Sequence, residues 1–212
     1  MRKAVGWVVG GLDPLNNWES MLWKCFKADT PWNDFDGVKK KPRKYEHPAN
    51  TPTRAFFLRV PFHVWEKVAK RHDLPMPQNI TIAQTGEAIG FWAWILENKI
   101  PITLCEGAKK SGALLTQGIV AIALPGIFSG YRKENDLSGR NYHYLIPELQ
   151  PFADGRNIFI CFDNDEKVQA RKNVAIASAR LGSLFEEFSS NVRVVRFAGE
   201  KGIDDWIVAQ LE

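Results

Sequence analysis

Cysteine is scarce: three among 212 residues (Cys25, Cys105 and Cys161), far apart and with no CxxC pair. That spacing argues against a zinc ribbon. Cys105 and Cys161 fall inside apolar, strand-like runs, the setting of buried reduced thiols, so a reducing, cytoplasmic compartment is expected. No apolar segment approaches the ~20 residues a membrane span needs. The apolar stretch after Met1-Arg2-Lys3 is too short for a signal peptide, so no membrane partner is expected. Charge of one sign is not in large excess either. Lys and Arg number 28 against 24 Asp and Glu, a net +4, which permits a nucleic-acid partner without demanding one. Internal repeats and low-complexity tracts are missing. What is plentiful is apolar side chain. With 45% hydrophobic residues, 8 Trp and 13 Phe, the chain can build a core, and its length suits one large domain or two small ones.

The most informative stretch is residues 157–167. Residues 158–162 (Ile-Phe-Ile-Cys-Phe) form an unbroken apolar run that reads as a strand buried on both faces, as in parallel sheets. It ends abruptly in Asp163, Asp165 and Glu166. In extended chain, residues i and i+2 point to the same side, so Asp163 and Asp165 converge. Two carboxylates about 4 Å apart repel by roughly 4 kcal/mol at an effective dielectric near 20. A hard divalent cation, Mg²⁺ or Mn²⁺, offsets that repulsion. An acidic helix N-terminus explains the same residues without a metal.

Around this stretch the second half of the chain alternates strands and helices. Strands are expected at 101–105 and 119–124, with a helix over 108–116 between them. A long polar loop over 126–144, a short helix over 146–152, the strand 158–162, a helix over about 172–188 and a final strand over 192–197 follow. This order implies α/β architecture: a parallel sheet flanked by helices. Residues 1–97 read as an α+β N-terminal region and 98–212 as the α/β unit. Within the first part, residues 5–9 suit a short strand. Trp18, Met21, Leu22, Trp23 and Phe26 are spaced for a helix face or a tight aromatic cluster. Residues 61–71 have helical period, and a second helix is expected over 88–98. Residues 53–61 read as a strand bearing Arg54 and Arg59.

The densest positive charge is Lys39, Lys40, Lys41, Arg43 and Lys44, followed by Tyr45 and His47. With Arg54, Arg59 and, further on, Arg132, these are candidate nucleic-acid contacts. A single strand needs cations for phosphates and rings for bases. Solvated surface charge is the alternative.

Three acidic positions thus stand at strand ends: Glu106, the pair Asp163 and Asp165, and the pair Asp204 and Asp205. Ile102-Thr103-Leu104-Cys105-Glu106-Gly107, Phe162-Asp163-Asn164-Asp165 and Glu200-Lys201-Gly202-Ile203-Asp204-Asp205-Trp206-Ile207, in this order, resemble the Toprim domain of primases, topoisomerases and related nucleases. Together with Ala108-Lys109-Lys110, Ala123-Leu124-Pro125-Gly126, Tyr45-Glu46-His47-Pro48 and Thr51-Pro52-Thr53-Arg54-Ala55-Phe56-Phe57, they resemble more closely an uncharacterised Toprim-like family. That family is frequent in cyanobacterial, plasmid and phage replication proteins, often beside a helicase. The resemblance implies a Toprim-like, Rossmann-type parallel sheet over 98–212 and Mg²⁺-dependent phosphoryl transfer. It implies Asp163 and Asp165 as metal ligands, with Asp204 or Asp205 holding a second ion. Glu106 would be general acid or base, or a further ligand, and Lys109 and Lys201 would meet phosphate; for Lys109 a solvated helix face remains the alternative. Glu166 adds a negative charge to the pattern, and no zinc motif precedes the domain as it usually does in bacterial primases.

The function implied is a primase-like nucleotidyltransferase of plasmid or phage DNA replication, with single-stranded DNA, nucleotides and a replicative helicase as partners. A nuclease on the same site and a non-catalytic DNA-binding or helicase-recruiting module are the alternatives. A haloacid-dehalogenase-type phosphatase expects its Asp-x-Asp strand near the start of the fold, whereas here it comes third. Salt-bridging lysine or arginine filling the space between the carboxylates would end the case for a shared cation, as would Glu106 on the far side from Asp163 and Asp165.

Overall fold

The computed structural model describes residues 5–32 and 43–211. The chain opens with β1 (Gly6–Val9), the short antiparallel pair β2 (Leu12–Asp13) and β3 (Glu19–Ser20), then β4 (Cys25–Trp32) and β5 (Arg43–Glu46). β1, β4 and β5 make an antiparallel sheet in the order β1-β4-β5. Two helices follow, α1 (Phe62–Arg71) and α2 (Phe91–Glu97). α1 buries Val64, Trp65, Val68 and Ala69, the apolar stripe its period announces, and carries Lys70 and Arg71 in the last turn, where cations suit the dipole.

The second half contains β6 (Ile102–Glu106), α3 (Ala108–Thr116), β7 (Ala121–Leu124), β8 (Tyr131–Asn135), β9 (Asn141–Leu145), a 3₁₀ turn (Gln150–Phe152), β10 (Asn157–Cys161), α4 (Val168–Glu186), β11 (Asn191–Val194) and α5 (Ile203–Ala209). β6, β7, β10 and β11 form one parallel sheet in the order β11-β10-β6-β7. This is a mixed α/β fold with a four-stranded parallel sheet flanked by helices, an arrangement compatible with a Rossmann-like fold. Alternate residues feed opposite faces. Ile102, Leu104, Ile122, Leu124, Ile158 and Ile160 pack with Ala177, Leu181 and Phe185 of α4 in the larger core. Cys105, Ala121, Ala123 and Cys161 pack with Leu114 of α3 and with Ile203 and Ile207 of α5. All three cysteines are buried and free.

The larger core also contains Leu12, Phe57, Trp65, Trp92 and Ile95, so residues on both sides of the expected boundary at 97/98 share one apolar interior. Phe56 exchanges both backbone hydrogen bonds with Ala123 on β7, at 2.8 and 3.2 Å. Buried Arg156 donates to the carbonyls of Ile95, Leu96 and Ile100 and so closes the end of α2.

Several local expectations are corrected. Residues 18–26 are not helical. Asn17 and Trp18 adopt positive φ, Leu22 is 95% exposed, and Cys25 and Phe26 lie in β4. Nor do these side chains cluster with one another: Trp18 packs on Phe57, Trp92 and Phe152 of the larger core at 5.6–6.4 Å, while Met21 and Trp23 enter the second core. The stretch 126–144 contains the hairpin β8–β9 rather than a loop, because Asp136 Oδ1 accepts from the N–H groups of Ser138 and Arg140 while Gly139 turns at φ +79°. Residues 53–61 make isolated bridges instead of a full strand. α2 starts at Phe91, not 88, since Gly90 sits at φ +98° and the bridges Pro61–Glu87 and Ile82–Ala88 keep the chain extended before it. The helix expected over 146–152 is only the 3₁₀ turn, and β11 stops at Val194. α4 begins four residues before its expected start, because Asp165 Oδ1 accepts from the N–H of Lys167 and opens the turn early. No helix among the described residues is long and apolar enough to cross a membrane.

Candidate functional site

The parallel sheet grows in two directions from β6. The chain passes from β6 through α3 to β7 on one side, then returns to β10 on the other and moves out to β11. Ligands of open α/β sheets sit at the carboxyl ends of the strands where this switch occurs. Glu106 is the last residue of β6, and Asp163 follows two residues after Cys161, the register partner of Cys105. The two carboxylates therefore leave adjacent strand ends. The loop between β11 and α5 folds onto the same rim: the N–H of Asn164 donates to the carbonyl of Lys201 at 2.8 Å.

Glycine allows this convergence at two points. Gly107 turns from β6 into α3 at φ +87°, a conformation that L side chains rarely adopt. At Gly202 a Cβ would stand 2.5 Å from Asp204 Oδ1 and 2.9 Å from Lys110 Cε, so a side chain there would push the carboxylate and the lysine aside.

Each central Asp meets a lysine. Lys110 Nζ lies 3.1 Å from Asp163 Oδ1, Lys109 Nζ 3.1 Å from Asp204 Oδ2, and Lys201 Nζ 3.2 Å from Asp165 Oδ2. These pairs differ in kind. Lys109 and Lys201 keep 74% and 64% of their side chains exposed, so their pairs are weak and readily exchanged. Lys110 is largely buried and sits among Asp163, Asp204 and Glu106. Its contact to Asp163 is at ion-pair distance but off hydrogen-bond geometry, and Asp163 Oδ1 and Asp204 Oδ1 are buried without a hydrogen-bond donor. Glu106 has no ion-pair partner among the described residues. Burial, then the neighbouring Asp163 charge, push its pKa above the ordinary carboxylate value despite Lys110 and Lys201. Burial also acts to raise Asp204, but Lys109 and Lys110 outweigh it and its pKa is lowered. For Asp165 the Lys167 N–H and then Lys201 lower it.

Lysine thus occupies part of the gap. Among the described residues no group of three or more His, Cys, Asp and Glu side chains stands ready to hold a metal alone. Mg²⁺ needs less: one or two carboxylates, with water and phosphate oxygens completing its shell. The donors at the rim are all hard oxygens. Asp163 Oδ1 is buried beside Glu106 with Lys110 Nζ 3.1 Å away, and this set fits the ion where it displaces that ammonium.

The remaining candidates are placed as follows. Asp205 is exposed on the first turn of α5, apart from the lysine pairs. Lys39, Lys40 and Lys41 lie outside the described residues; Arg43 and Lys44 lie in β5. Arg54 is held internally by Asp13, at 2.6 and 2.9 Å, and by buried Glu148, at 2.6 Å. Arg59 pairs with Glu87 and donates to Ser20. Arg132 donates to the carbonyls of Thr53, Ser129 and Tyr131. These three arginines are engaged within the protein and do not join the rim.

Lys110, the most enclosed cation of the site, was not singled out by sequence. Successive helical residues point about 100° apart, and without the helix's rotation nothing distinguishes Lys109 from Lys110. The cleft of about 390 Å³ that leads from the rim toward β1, β4 and β5 was also missed.

Residues 91–212 match the family model described as "Domain of unknown function (DUF3854)". The chain is also 42% identical over 209 residues to "Uncharacterized protein SYNPCC7002_B0001" of Picosynechococcus sp. (strain ATCC 27264 / PCC 7002 / PR-6), a match covering 96% of this chain and 20% of that protein. The chain therefore spans about a fifth of the relative's length. No solved structure matches it. With more than half of its residues inside the family model, the chain belongs to the DUF3854 family.

Proposed function

We propose that the chain is a Mg²⁺- or Mn²⁺-dependent phosphoryl-transfer enzyme acting on nucleic acid, a primase-like nucleotidyltransferase of plasmid or phage DNA replication with a Toprim-like catalytic half. The observation that carries this reading is the meeting of Glu106, Asp163 and the Lys201–Asp204 loop at the switch point of one parallel sheet. Asp163 and Glu106 would hold the ion, with Asp165 and Asp204 beside them. When bound, it neutralises negative charge on phosphate oxygens.

The chain's own groups do the rest. Glu106, kept partly out of water and without an ion-pair partner, takes or returns a proton at the attacking or leaving oxygen. Lys109 and Lys201 exchange weak, exposed pairs for phosphate oxygens. Lys110 stays beneath and fixes Asp163. Single-stranded DNA and nucleotides are the proposed substrates, and a replicative helicase the proposed partner. A nuclease would use the same groups.

The lysine pairing favours a second reading: a rim already neutralised by its own cations, in a non-catalytic DNA-binding or helicase-recruiting module. Titration with Mg²⁺ and Mn²⁺ separates the two. An enzyme binds the ion, and Asp163→Asn weakens that binding while the protein stays folded; a module gives no binding signal in either.

A further inference from the structure

The cleft above the rim has a second wall that catalysis leaves unexplained. Trp7 of β1 is the register partner of Lys27 of β4, and Lys27 that of Tyr45 of β5. The three side chains therefore form one row across the antiparallel sheet, on a single face. Trp7 and Tyr45 stand edge to face at 6.5 Å and 87°, and Lys27 Nζ lies 5.5 Å from the centre of a Trp7 ring. Both rings are exposed, Trp7 by 40% and Tyr45 by 44%. His47, two residues beyond Tyr45, stacks on Trp23 at 5.1 Å and 12° and lines the same cleft. Across it stand Glu106, Lys110 and Asp163.

An exposed aromatic corner costs solvation that a soluble surface ordinarily avoids, and here it opens on a space rather than on a protein surface. The space, about 390 Å³, lies within the range of small-molecule sites, about 300–1,000 Å³. A ligand that satisfies both walls has a flat π-face at one end and an anion at the other. The geometry points to a nucleotide subsite: the base lies against Trp7 and Tyr45, and the phosphate runs past Lys27 toward the carboxylates. The base end stands on these rings alone; the phosphate end rests on the function proposed above. Stacking accepts any base, since each has a π-face, so this wall grips without reading sequence. The unit bound is either a free nucleotide or one residue of a single strand.

The test uses the full chain labelled with ¹⁵N. The Trp7 indole resonance, identified by its loss in Trp7→Phe, shifts on adding millimolar adenosine without metal. Trp7→Ala and Tyr45→Ala weaken binding of etheno-ATP with Mg²⁺ by roughly 5- to 150-fold, the range of single base–aromatic stacks, and Trp7→Phe and Tyr45→Phe keep most of it. Tighter binding of etheno-ATP than of a fluorescent single-stranded oligonucleotide assigns the subsite to free nucleotide, and the reverse order assigns it to the strand. An unmoved Trp7 resonance, or alanine variants that are folded by circular dichroism and bind as wild type, overturns the subsite. The subsite and the catalysis can fail separately. A Trp7 shift with adenosine alongside no metal-dependent turnover keeps the base wall and removes the enzyme. Turnover lost in Asp163→Asn but indifferent to Trp7→Ala does the opposite.

Discussion

Lys110→Met removes the ammonium that sits against Asp163 while keeping most of the side chain's length. Across 3.1 Å, an effective dielectric near 20 gives an attraction of about 5 kcal/mol. Desolvation of two largely buried ions cancels part of this, and what is left is an Asp163 oxygen with neither cation nor hydrogen bond. The net loss expected is about 2–4 kcal/mol, toward the lower end of broken buried pairs. At roughly 2–4 °C per kcal/mol for a chain of this size, the melting temperature falls by roughly 5–15 °C. Mg²⁺ then separates the readings. A cation bound at 100 times its Kd adds about 2.7 kcal/mol, and it stabilises the variant more than the wild type, because Lys110 no longer competes for Asp163. Calorimetric melts of both proteins, with and without Mg²⁺, measure this directly. A variant that melts with the wild type would refute the burial of the Asp163 pair, and melts indifferent to Mg²⁺ in both proteins would refute the shared cation.

Further outcomes are expected elsewhere. Gly202→Ala places a Cβ 2.5 Å from Asp204 Oδ1 and forces it and Lys110 apart, so chemical denaturation should show a loss of about 1–3 kcal/mol, as for overpacked sites. Arg54→Met strands buried Glu148 and should cost about 3–5 kcal/mol, read from urea midpoints. The other pair of Arg54, with Asp13, predicts an acid limb. Burial acts to raise Asp13, but the Arg54 hydrogen bonds win and its folded pKa lies below the ordinary 3.8. Its contribution is thus present above pH 3.8 and is lost as pH falls through the folded value. Melts against pH should show that the wild type loses part of its margin over Arg54→Met in that window, and a margin constant with pH would contradict it. Replacing Lys39, Lys40, Lys41, Arg43 and Lys44 by Ala should weaken single-strand binding and flatten its salt dependence; unchanged binding removes that run from consideration.

The parallel sheet was legible because its strands are short β-branched runs and its helices keep a 3.6-residue stripe, so β6, α3 and β10 fall within a residue or so of expectation. The meeting of Glu106 with Asp163 was legible too, since both follow strand ends. Features set by contacts distant in sequence were not. The β8–β9 hairpin hides in polar residues because its turn depends on one Asp136 side chain. The extended path of residues 82–88 depends on bridges from Pro61 and within that stretch. Arg54 and Arg59 look like free surface cations until Asp13, Glu148 and Glu87 arrive from elsewhere in the chain. The pairing of every central Asp with a lysine follows from helix rotation and loop closure, which no spacing reveals.

The most direct measurement incubates the chain with single-stranded DNA, nucleotides and Mg²⁺, and follows the strand by length. A rim that shares a cation yields extension, or cleavage without added nucleotide, and Asp163→Asn abolishes it in a protein that still folds. Strands left unchanged by the wild type, together with no Mg²⁺ or Mn²⁺ binding, would contradict the enzyme and leave a lysine-neutralised scaffold.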